Sequence, residues 1–352
     1  DFQTAFEAAI DVALALETRV DAVLICGDLF DNHAPPPPLV DFFQTQLTRL
    51  REEDIPVVLI SGFHDAAVYP DAVYHSQTFP GLHPLIRPED KQPITFEFQG
   101  TQVHFYGVAW HQLSNSEPVV LVREDRPGLH IALLHGEVGE GPREPDEVPM
   151  RFSLETLKKS GMDYVALGFR HDYQVVSESE PAIVYPGTLE SVTFAETEPR
   201  AFLVVEFDME NDEAELTVTR IPYKSRPVLH KTVDVSTLKV DDHAELAARL
   251  SVDADPSALM HLELVGTSNF IVHTDRLRDL LAPHFFLLEL LDRTSFSDSA
   301  IVRLIKPERT IRGMFTRQLT DELEKAGSPE QRHTLEYALK AGLQRFLEGE
   351  LL

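Results

Sequence analysis

The sequence predicts an α/β fold, followed by a small α+β unit and a helical tail. Over residues 1–205, helix patterns alternate with short apolar runs that end in Gly, Asp or His. After about residue 201, apolar and polar residues alternate at the strand period, and over roughly 307–348 they recur at helical spacing. Buried strands with polar residues at their carboxyl ends are typical of a layered α/β sandwich.

The first region is predicted to form a core of buried strands flanked by helices. Its opening residues Phe6, Ile10 and Leu14 share one helix face, and the run from Pro35 to Pro38 is a rigid spacer before the next helix. The predicted helices are 1–18, 38–53 and 153–160, and the predicted strands are 21–26, 56–60, 94–98, 102–108, 129–134, 163–167 and 182–185.

The second and third regions are predicted from a hairpin and from helix-breaking residues. Residues 202–207 and 215–220 alternate around Asn211-Asp212, which indicates a hairpin. Gly327-Ser328-Pro329 divides the tail into two helices, with Ser328 as N-cap and Pro329 at the first helical position. The further predicted elements are strands 227–234, 258–265 and 284–292 and helices 242–250 and 274–281. We therefore expect domains at 1–205, 206–295 and 296–352.

Composition limits the classes of protein to which the chain can belong. The 58 acidic and 31 basic residues give a net charge of −27, which is unusual for a nucleic-acid binder because phosphate affinity comes largely from Lys and Arg. Either local basic patches bind the nucleic acid, or a partner does. A single cysteine, Cys26, fits a cytoplasmic protein without internal disulfides. The apolar runs are too short to cross a bilayer, and the chain opens on an amphipathic helical pattern in which no signal peptide is visible. Its first residue, Asp1, predicts a fragment or a processed chain.

Polar residues that could carry chemistry follow the predicted strands. Asp28 follows the strand 21–26, and a carboxylate there could bridge two cations. His64 follows the strand 56–60, and His135 and His171 come after two later strands. Each signal is weak alone, because an Asp after a strand is often a helix cap and a lone His is often structural. Their common position at strand ends, together with the turn Tyr185–Glu190, predicts one site.

On these residues the chain resembles the calcineurin-like metallophosphoesterases, and in particular the SbcD/YhaO-type nuclease subunits of DNA double-strand-break repair. The resemblance implies a metallophosphoesterase β-sandwich flanked by helices, with a small capping domain and a helical tail. It implies two Mn²⁺ ions, with Asp28 bridging both, His171 on the first and His135 on the second. His64 would stabilise or protonate the leaving oxygen, and Asp65 would orient a neighbour in the catalytic machinery.

The resemblance also implies partners. Asp31 would support the loop of the first metal-binding residue, and DNA would be the substrate. An SMC-like ATPase subunit of the SbcC/YhaN type would bind the tail through Leu335, Leu339 and Leu343, and a homodimer is a further expected assembly.

Three departures from the family pattern concern the metal centre. Phe63 stands where an amide ligand is expected, and Phe169 stands where a histidine ligand is expected. The Asp-x-His of an opening strand does not precede the first helix. Phenylalanine offers no lone pair, and catalytic sites rarely hold a dication with two protein ligands. We therefore expect the two rings to face each other and the centre to be impaired.

Three functions stay open at this point. The chain is a metal-dependent DNA exo- or endonuclease, a non-catalytic scaffold that binds an ATPase, or a phosphoesterase acting on small phosphodiesters. His33 and His111 could contact phosphate, although exposed loop histidines are equally expected. A basic stretch could contact DNA or an acidic partner, and a solvated helix face is the equal alternative. This stretch consists of Arg303, Lys306, Arg309, Arg312 and Arg317.

Overall fold

The described part of the chain forms two compact units. The computed structural model describes residues 1–15, 20–86, 92–110, 121–139, 150–178, 181–210, 213–296 and 299–347. The first unit consists of Asp1–Ser191 and Glu198–Ser225, and the second of Val192–Thr197 and Arg226–Leu352. The hairpin that the predicted boundary at 205/206 would cut lies wholly within the first unit. The capping domain and the separate tail stay a prediction.

The first unit contains four helices and thirteen strands among its described residues. The helices are α1 (Phe2–Ala15), α2 (Pro37–Glu52), α3 (Val73–Ser76) and α4 (Leu154–Lys158). The strands are β1 (Val23–Cys26), β2 (Val57–Ile60), β3 (Leu82–Pro84), β4 (Ile94–Phe98), β5 (Thr101–Val108), β6 (Leu129–His135), β7 (Glu137–Val138), β8 (Arg151–Phe152), β9 (Tyr164–Gly168), β10 (Gln174–Ser177), β11 (Ala182–Tyr185), β12 (Ala201–Glu210) and β13 (Glu213–Pro222).

Two sheets of this unit pack face to face. The smaller sheet has the order β1-β2-β3 and is parallel, and the larger has the order β10-β11-β9-β6-β5-β4, with antiparallel pairs only at its two edges. Val58 and Ile60 of β2 pack against Phe105, Leu133 and other residues of the larger sheet. The sandwich predicted from the sequence is thereby confirmed.

Helices cover the outer faces of both sheets. Val57 and Leu59 of β2 pack against Phe43 and Leu47 of α2, because successive residues of a strand point to opposite faces. On the larger sheet, Val165 of β9 packs in a cluster that includes residues of α4. Buried parallel strands covered on both faces require continuous apolar runs, which is why β2 reads Val-Val-Leu-Ile.

The second unit has a parallel three-stranded sheet and a group of helices. Its strands are β14 (Val228–Asp234), β15 (Leu259–Val265) and β16 (Leu287–Asp292), in that order. Its helices are α5 (His243–Leu250), α6 (Thr274–Leu281), α7 (Ala300–Ile305), α8 (Ile311–Lys325) and α9 (Pro329–Leu347), with short 3-10 turns at Val235–Thr237 and Ala282–His284. The segment 192–197 joins this unit: the ring of His230 hydrogen-bonds to the Phe194 carbonyl, and the Phe194 ring lies 5.9 Å from that of His261.

The helices α7, α8 and α9 share a core of their own. Leu339 and Leu343 have no exposed surface and pack in a cluster with Leu323. The expectation that these two leucines bind a partner is therefore wrong, because they are occupied within the chain. Ile311, the first residue of α8, is 74% exposed.

Several short elements were not predicted. The strand β3 has three residues, β7 and β8 have two each, and the helices α3 and α7 have four and six. Such segments are shorter than the window over which periodicity can be read. No helix in the described ranges is long and apolar enough to cross a membrane.

Candidate functional site

The carboxyl ends of four strands meet at one edge of the sandwich. The carbonyl of Cys26, the last residue of β1, accepts a 2.7 Å hydrogen bond from Nδ1 of His135, the last residue of β6. The Gly136 amide, directly after β6, donates to the carbonyl of Gly168 at the end of β9. The loop after β2 reaches the same place through a contact with Asp28, so side chains from distant segments gather as the sequence analysis expects.

Asp28 is the carboxylate around which this edge is organised. Its backbone φ of 53° lies in the left-handed region, which Asp tolerates better than most residues. Its Oδ1 accepts the backbone N–H of His64 at 2.8 Å, and its Oδ2 lies 3.1 Å from Nε2 of His135. Burial raises the pKa of Asp28, but the close approach of His135 outweighs burial and holds the pKa below its usual value.

His135 places a buried imidazole against that carboxylate. Its side chain is 1% exposed. Because the Cys26 carbonyl can only accept, Nδ1 carries the proton, and Nε2 faces Asp28. This Nε2 makes no well-aligned hydrogen bond. Burial lowers the pKa of His135, but the hydrogen bond and charge of Asp28 outweigh burial and raise the pKa. A proton held at Nε2 removes the repulsion between the lone pairs of the imidazole and the carboxylate.

Asp65 is a buried acceptor that connects the loops after β1 and β2. It has no exposed surface, and its Oδ1 accepts the amides of Gly62 at 2.7 Å and Asp28 at 3.2 Å. Its Oδ2 accepts the Leu29 amide at 3.0 Å and the Tyr74 hydroxyl at 2.6 Å. Burial raises the pKa of Asp65 despite these donors. The carboxylate acts through its neighbours rather than toward solvent.

Two glycines allow the loops to approach so closely. A Cβ on Gly62 would lie 2.2 Å from Oδ1 of Asp28, and a Cβ on Gly168 would lie 1.8 Å from the Cys26 carbonyl oxygen. Both distances are far below van der Waals contact. The glycines that precede Phe63 and Phe169 are therefore required by packing, whether or not a metal binds.

The two phenylalanines pack against different partners. The Phe63 ring makes edge contacts with Trp110, at a centroid distance of 5.1 Å, and with His64, at 5.3 Å. The Phe169 ring stands edge-on to His135 at 5.9 Å, and its backbone φ of 100° is unusual for a residue with a side chain. The expectation that the two rings face each other is thus not met. Each ring places apolar surface at the rim where a ligand donor was expected.

The side chains present do not fit a two-metal centre. The misaligned Nε2 of His135 and the carboxylate of Asp28 would suit a cation between them. Within the described ranges, however, no group of three or more His, Cys, Asp or Glu residues could hold a metal ion. Burial also raises the pKa of the Cys26 thiol to about 12, so Cys26 supplies no thiolate.

His171 lies in the loop that follows β9. The carbonyl of His171 accepts from the Thr188 amide at 3.0 Å and from Arg200 at 2.6 Å, and its exposed side chain lines a pocket with Tyr173 and Arg220. Asp31 is exposed. The metal role of His171 and the supporting role of Asp31 stay predictions.

The predicted phosphate and DNA contacts have partners within the chain. His33 stacks on Tyr69 at 4.3 Å and lies 3.4 Å from Asp71, whereas His111 lies outside the described residues. Arg312 makes two hydrogen bonds with Glu308, at 2.6 and 2.7 Å.

The other cations of the basic stretch differ in their surroundings. Lys306 lies 3.8 Å from Asp321, and Arg317 donates to the carbonyls of Lys306 and Glu308. Arg303 and Arg309 are exposed. A DNA contact by this stretch stays a prediction.

Tyr74 and Tyr185 were missed by the sequence analysis. The Tyr185 hydroxyl donates to the Gly136 carbonyl and accepts from the Val138 amide, at 2.8 and 2.9 Å, and so fixes the loop after His135. Tyr74 holds Asp65. Tyr185 was noted only as part of a turn, and nothing in the local pattern around Tyr74 signals its contact.

Comparisons with known proteins support the family. The family model for calcineurin-like phosphoesterases matches residues 1–168. The uncharacterized metallophosphoesterase YhaO of Bacillus subtilis is 30% identical over 201 residues, which are 54% of this chain and 46% of that protein.

Proteins named for DNA double-strand break repair are also similar. Mre11 of Methanopyrus kandleri is 28% identical over 217 residues, covering 54% of this chain and 46% of that protein. Mre11 of Sulfurisphaera tokodaii is 22% identical over 372 residues, covering all of this chain and 90% of that protein. The matched part of the chain spans about half the length of YhaO and of the Methanopyrus protein.

Proposed function

Because residues 1–168 form a calcineurin-like metallophosphoesterase domain, we propose that this protein is the phosphoesterase-fold subunit of a DNA double-strand-break repair assembly, with a reduced metal centre. It binds DNA ends in the cytoplasm and acts mainly as a non-catalytic scaffold. Its partner is an SMC-like ATPase of the SbcC/YhaN type. The similarity to YhaO and to Mre11 proteins supports this assignment.

One observation carries the scaffold assignment. Phe63 and Phe169 bring rings to the rim that holds Asp28 and His135, and both rings are packed against neighbours. A dication at this rim would lose the amide and imidazole donors that the family pattern supplies, and water would compete for it. The residues that remain can position a loop and hold a proton at Nε2 of His135, which does not hydrolyse a phosphodiester.

A Mn²⁺-dependent nuclease is the second candidate function. It is favoured by the Asp28–His135 pair, which keeps a carboxylate and a buried imidazole 3.1 Å apart at the strand ends. It is also favoured by His64, which has an exposed side chain and whose backbone N–H contacts Asp28. A small-molecule phosphoesterase is not supported, because the second unit would have no role in it.

The two candidates differ in metal binding and DNA cleavage. Mn²⁺ binding is measured by titration calorimetry, and cleavage is followed on a labelled DNA end, with the wild type and with the double variant Phe63→Asn, Phe169→His. We expect the wild type to bind DNA without Mn²⁺-dependent cleavage, and the double variant to bind Mn²⁺ more tightly. Phe2→His is the control, since it adds an imidazole at a 57% exposed position away from the rim.

Tight Mn²⁺ binding by the wild type, together with DNA cleavage that is lost in His64→Ala, would establish the nuclease and reject the scaffold. Failure of the wild type to bind DNA at all would reject both candidates.

A further inference from the structure

A pocket of the first unit lies beside the loop that leaves β9. It has a volume of about 130 Å³. The same loop carries Phe169, whose ring contacts His135. This loop therefore connects the pocket to the strand-end rim. Its lining includes His171, Tyr173, Thr188, Glu198, Arg200 and Arg220.

Arg220 presents a positioned guanidinium in this pocket. It lies on strand β13, and its guanidinium carbon stands 4.3 Å from the centroid of the Tyr173 ring. One Nη2 proton is donated to the Pro199 carbonyl at 3.1 Å. A guanidinium has five N–H donors, so this contact orients the group and leaves further donors of the fork for a ligand. Stacking on an aromatic ring also reduces the rotamer freedom that binding would otherwise remove.

Arg200 is a second, buried arginine that lines the pocket. It is 4% exposed, and its guanidinium donates to the carbonyl of His171 at 2.6 Å and to Oγ of Ser191 at 3.0 and 3.3 Å. These contacts fix the His171 loop. Because Arg200 is buried, solvent screens its charge less than that of an exposed arginine.

We propose that this pocket is a subsite for a backbone phosphate of a DNA strand, with Arg220 as the contacting residue and Arg200 as the fixed charge behind it. The subsite rests on the proposed function and adds the place where the strand is held. The guanidinium fork matches the oxygens of a phosphate, which makes Arg suited to this ligand. In a chain with a net charge of −27, a polyanion can approach only where positive charge is concentrated.

One carboxylate opposes the ligand. Glu198 also lines the pocket, and it is exposed. Its negative charge repels a phosphate, so its removal strengthens binding where removal of Arg220 weakens binding. The two substitutions therefore give effects of opposite sign if the pocket is the subsite.

The test measures DNA binding without catalysis. The full chain in EDTA is titrated into fluorescein-labelled single-stranded and duplex DNA, and anisotropy is read over a range of salt concentrations. Arg220→Gln is expected to weaken binding about fivefold to tenfold and to lower the slope of log K against log salt by about 0.7–0.9, the share of one phosphate. The DNA affinity of Arg220→Lys is expected to lie between those of the wild type and Arg220→Gln. Glu198→Gln is expected to bind DNA more tightly than the wild type. The matched control is Arg49→Gln, which removes the same charge from the ion pair with Asp11.

The outcomes separate this subsite from the proposed function. Wild-type binding with equal affinities for Arg220→Gln and Arg49→Gln overturns the subsite and leaves the function standing. No binding by the wild type overturns both. Thermal unfolding checks that each variant is folded. A third outcome is that inorganic phosphate raises the Tm of the wild type but not of Arg220→Gln, while the two proteins bind DNA equally tightly. The pocket then binds free phosphate, and the assignment to DNA is overturned.

Discussion

Strand β6 carries two buried histidines, one at each end, in opposite surroundings. His130 has no exposed surface, its Nδ1 lies 2.8 Å from the Tyr106 hydroxyl, and its Nε2 lies 3.0 Å from the Arg126 carbonyl. His135 is equally buried but faces the carboxylate of Asp28. Burial lowers the pKa of His130, whereas Asp28 reverses the effect of burial and raises the pKa of His135.

The difference shows that burial alone does not make a functional imidazole. Both rings have one nitrogen fixed by a backbone carbonyl, which sets the tautomer. At His130 the other nitrogen meets a neutral hydroxyl, so the neutral ring is satisfied. At His135 the other nitrogen meets the carboxylate of Asp28, which the loop after β1 brings from the smaller sheet, so protonation of the ring is favoured. The carboxyl edge of the sandwich is chemically distinct because two sheets contribute to it.

The largest loss of stability is expected when Asp65, which holds the loops of the carboxyl edge, is removed. Asp65→Ala leaves three amides and the Tyr74 hydroxyl without their buried acceptor. We expect a loss of about 3–5 kcal/mol in the free energy of unfolding, measured with urea. Asp71→Ala, whose carboxylate is 71% exposed, is the matched control and should change stability by less than about 1 kcal/mol. Similar losses for both variants would show that Asp65 does not organise this edge.

The opposite end of β6 is tested by Tyr106→Phe. The Tyr106 hydroxyl lies against Nδ1 of His130 and accepts the Glu124 amide at 3.2 Å. Its removal should cost about 1–2 kcal/mol in the free energy of unfolding. Tyr337→Phe, at a 70% exposed position, is the control and should have no effect. An unchanged urea midpoint in Tyr106→Phe would contradict the network drawn around His130.

The lowered pKa of His130 also makes stability depend on pH. Because the folded pKa of His130 lies below that of the unfolded chain, the unfolded chain binds more protons as the pH falls below about 6.5. The stability contributed by neutral His130 is therefore complete above that pH and is lost as the pH falls toward the folded pKa. Urea unfolding between about pH 7 and 5 should show a smaller pH dependence in His130→Gln than in the wild type. Parallel profiles would mean that His130 titrates alike in both states.

The smallest effect is expected at an exposed ion pair of the carboxyl edge. Arg170 lies 2.7 Å from Glu137, and the two side chains are 43% and 28% exposed. Arg170→Gln should change the free energy of unfolding by less than about 1 kcal/mol, since solvent screens the pair. A loss comparable to that of Asp65→Ala would place this pair among the groups that hold the edge.

The sequence predicted the sandwich because its buried strands are continuous apolar runs. It also predicted that Asp28, His64, His135 and His171 would come together, since parallel strands end at one edge. The structure brings His64 and His135 to Asp28, whereas the place of His171 in this site stays a prediction. The sequence could not predict the contacts of Tyr74 or Tyr185, which depend on loop paths that no local pattern encodes. The tail leucines were misassigned for a related reason: helical spacing marks an apolar face, but it does not say whether another helix of the same chain covers that face.

The first unit is not continuous along the sequence. The chain passes from one unit to the other after residues 191, 197 and 225. A truncation after Ser225 would therefore leave residues 192–197 attached to a fragment that lacks their partners, with the Phe194 carbonyl deprived of His230. Residues 192–197 of the second unit interrupt the first unit along the sequence, so each unit should be studied within the intact polypeptide.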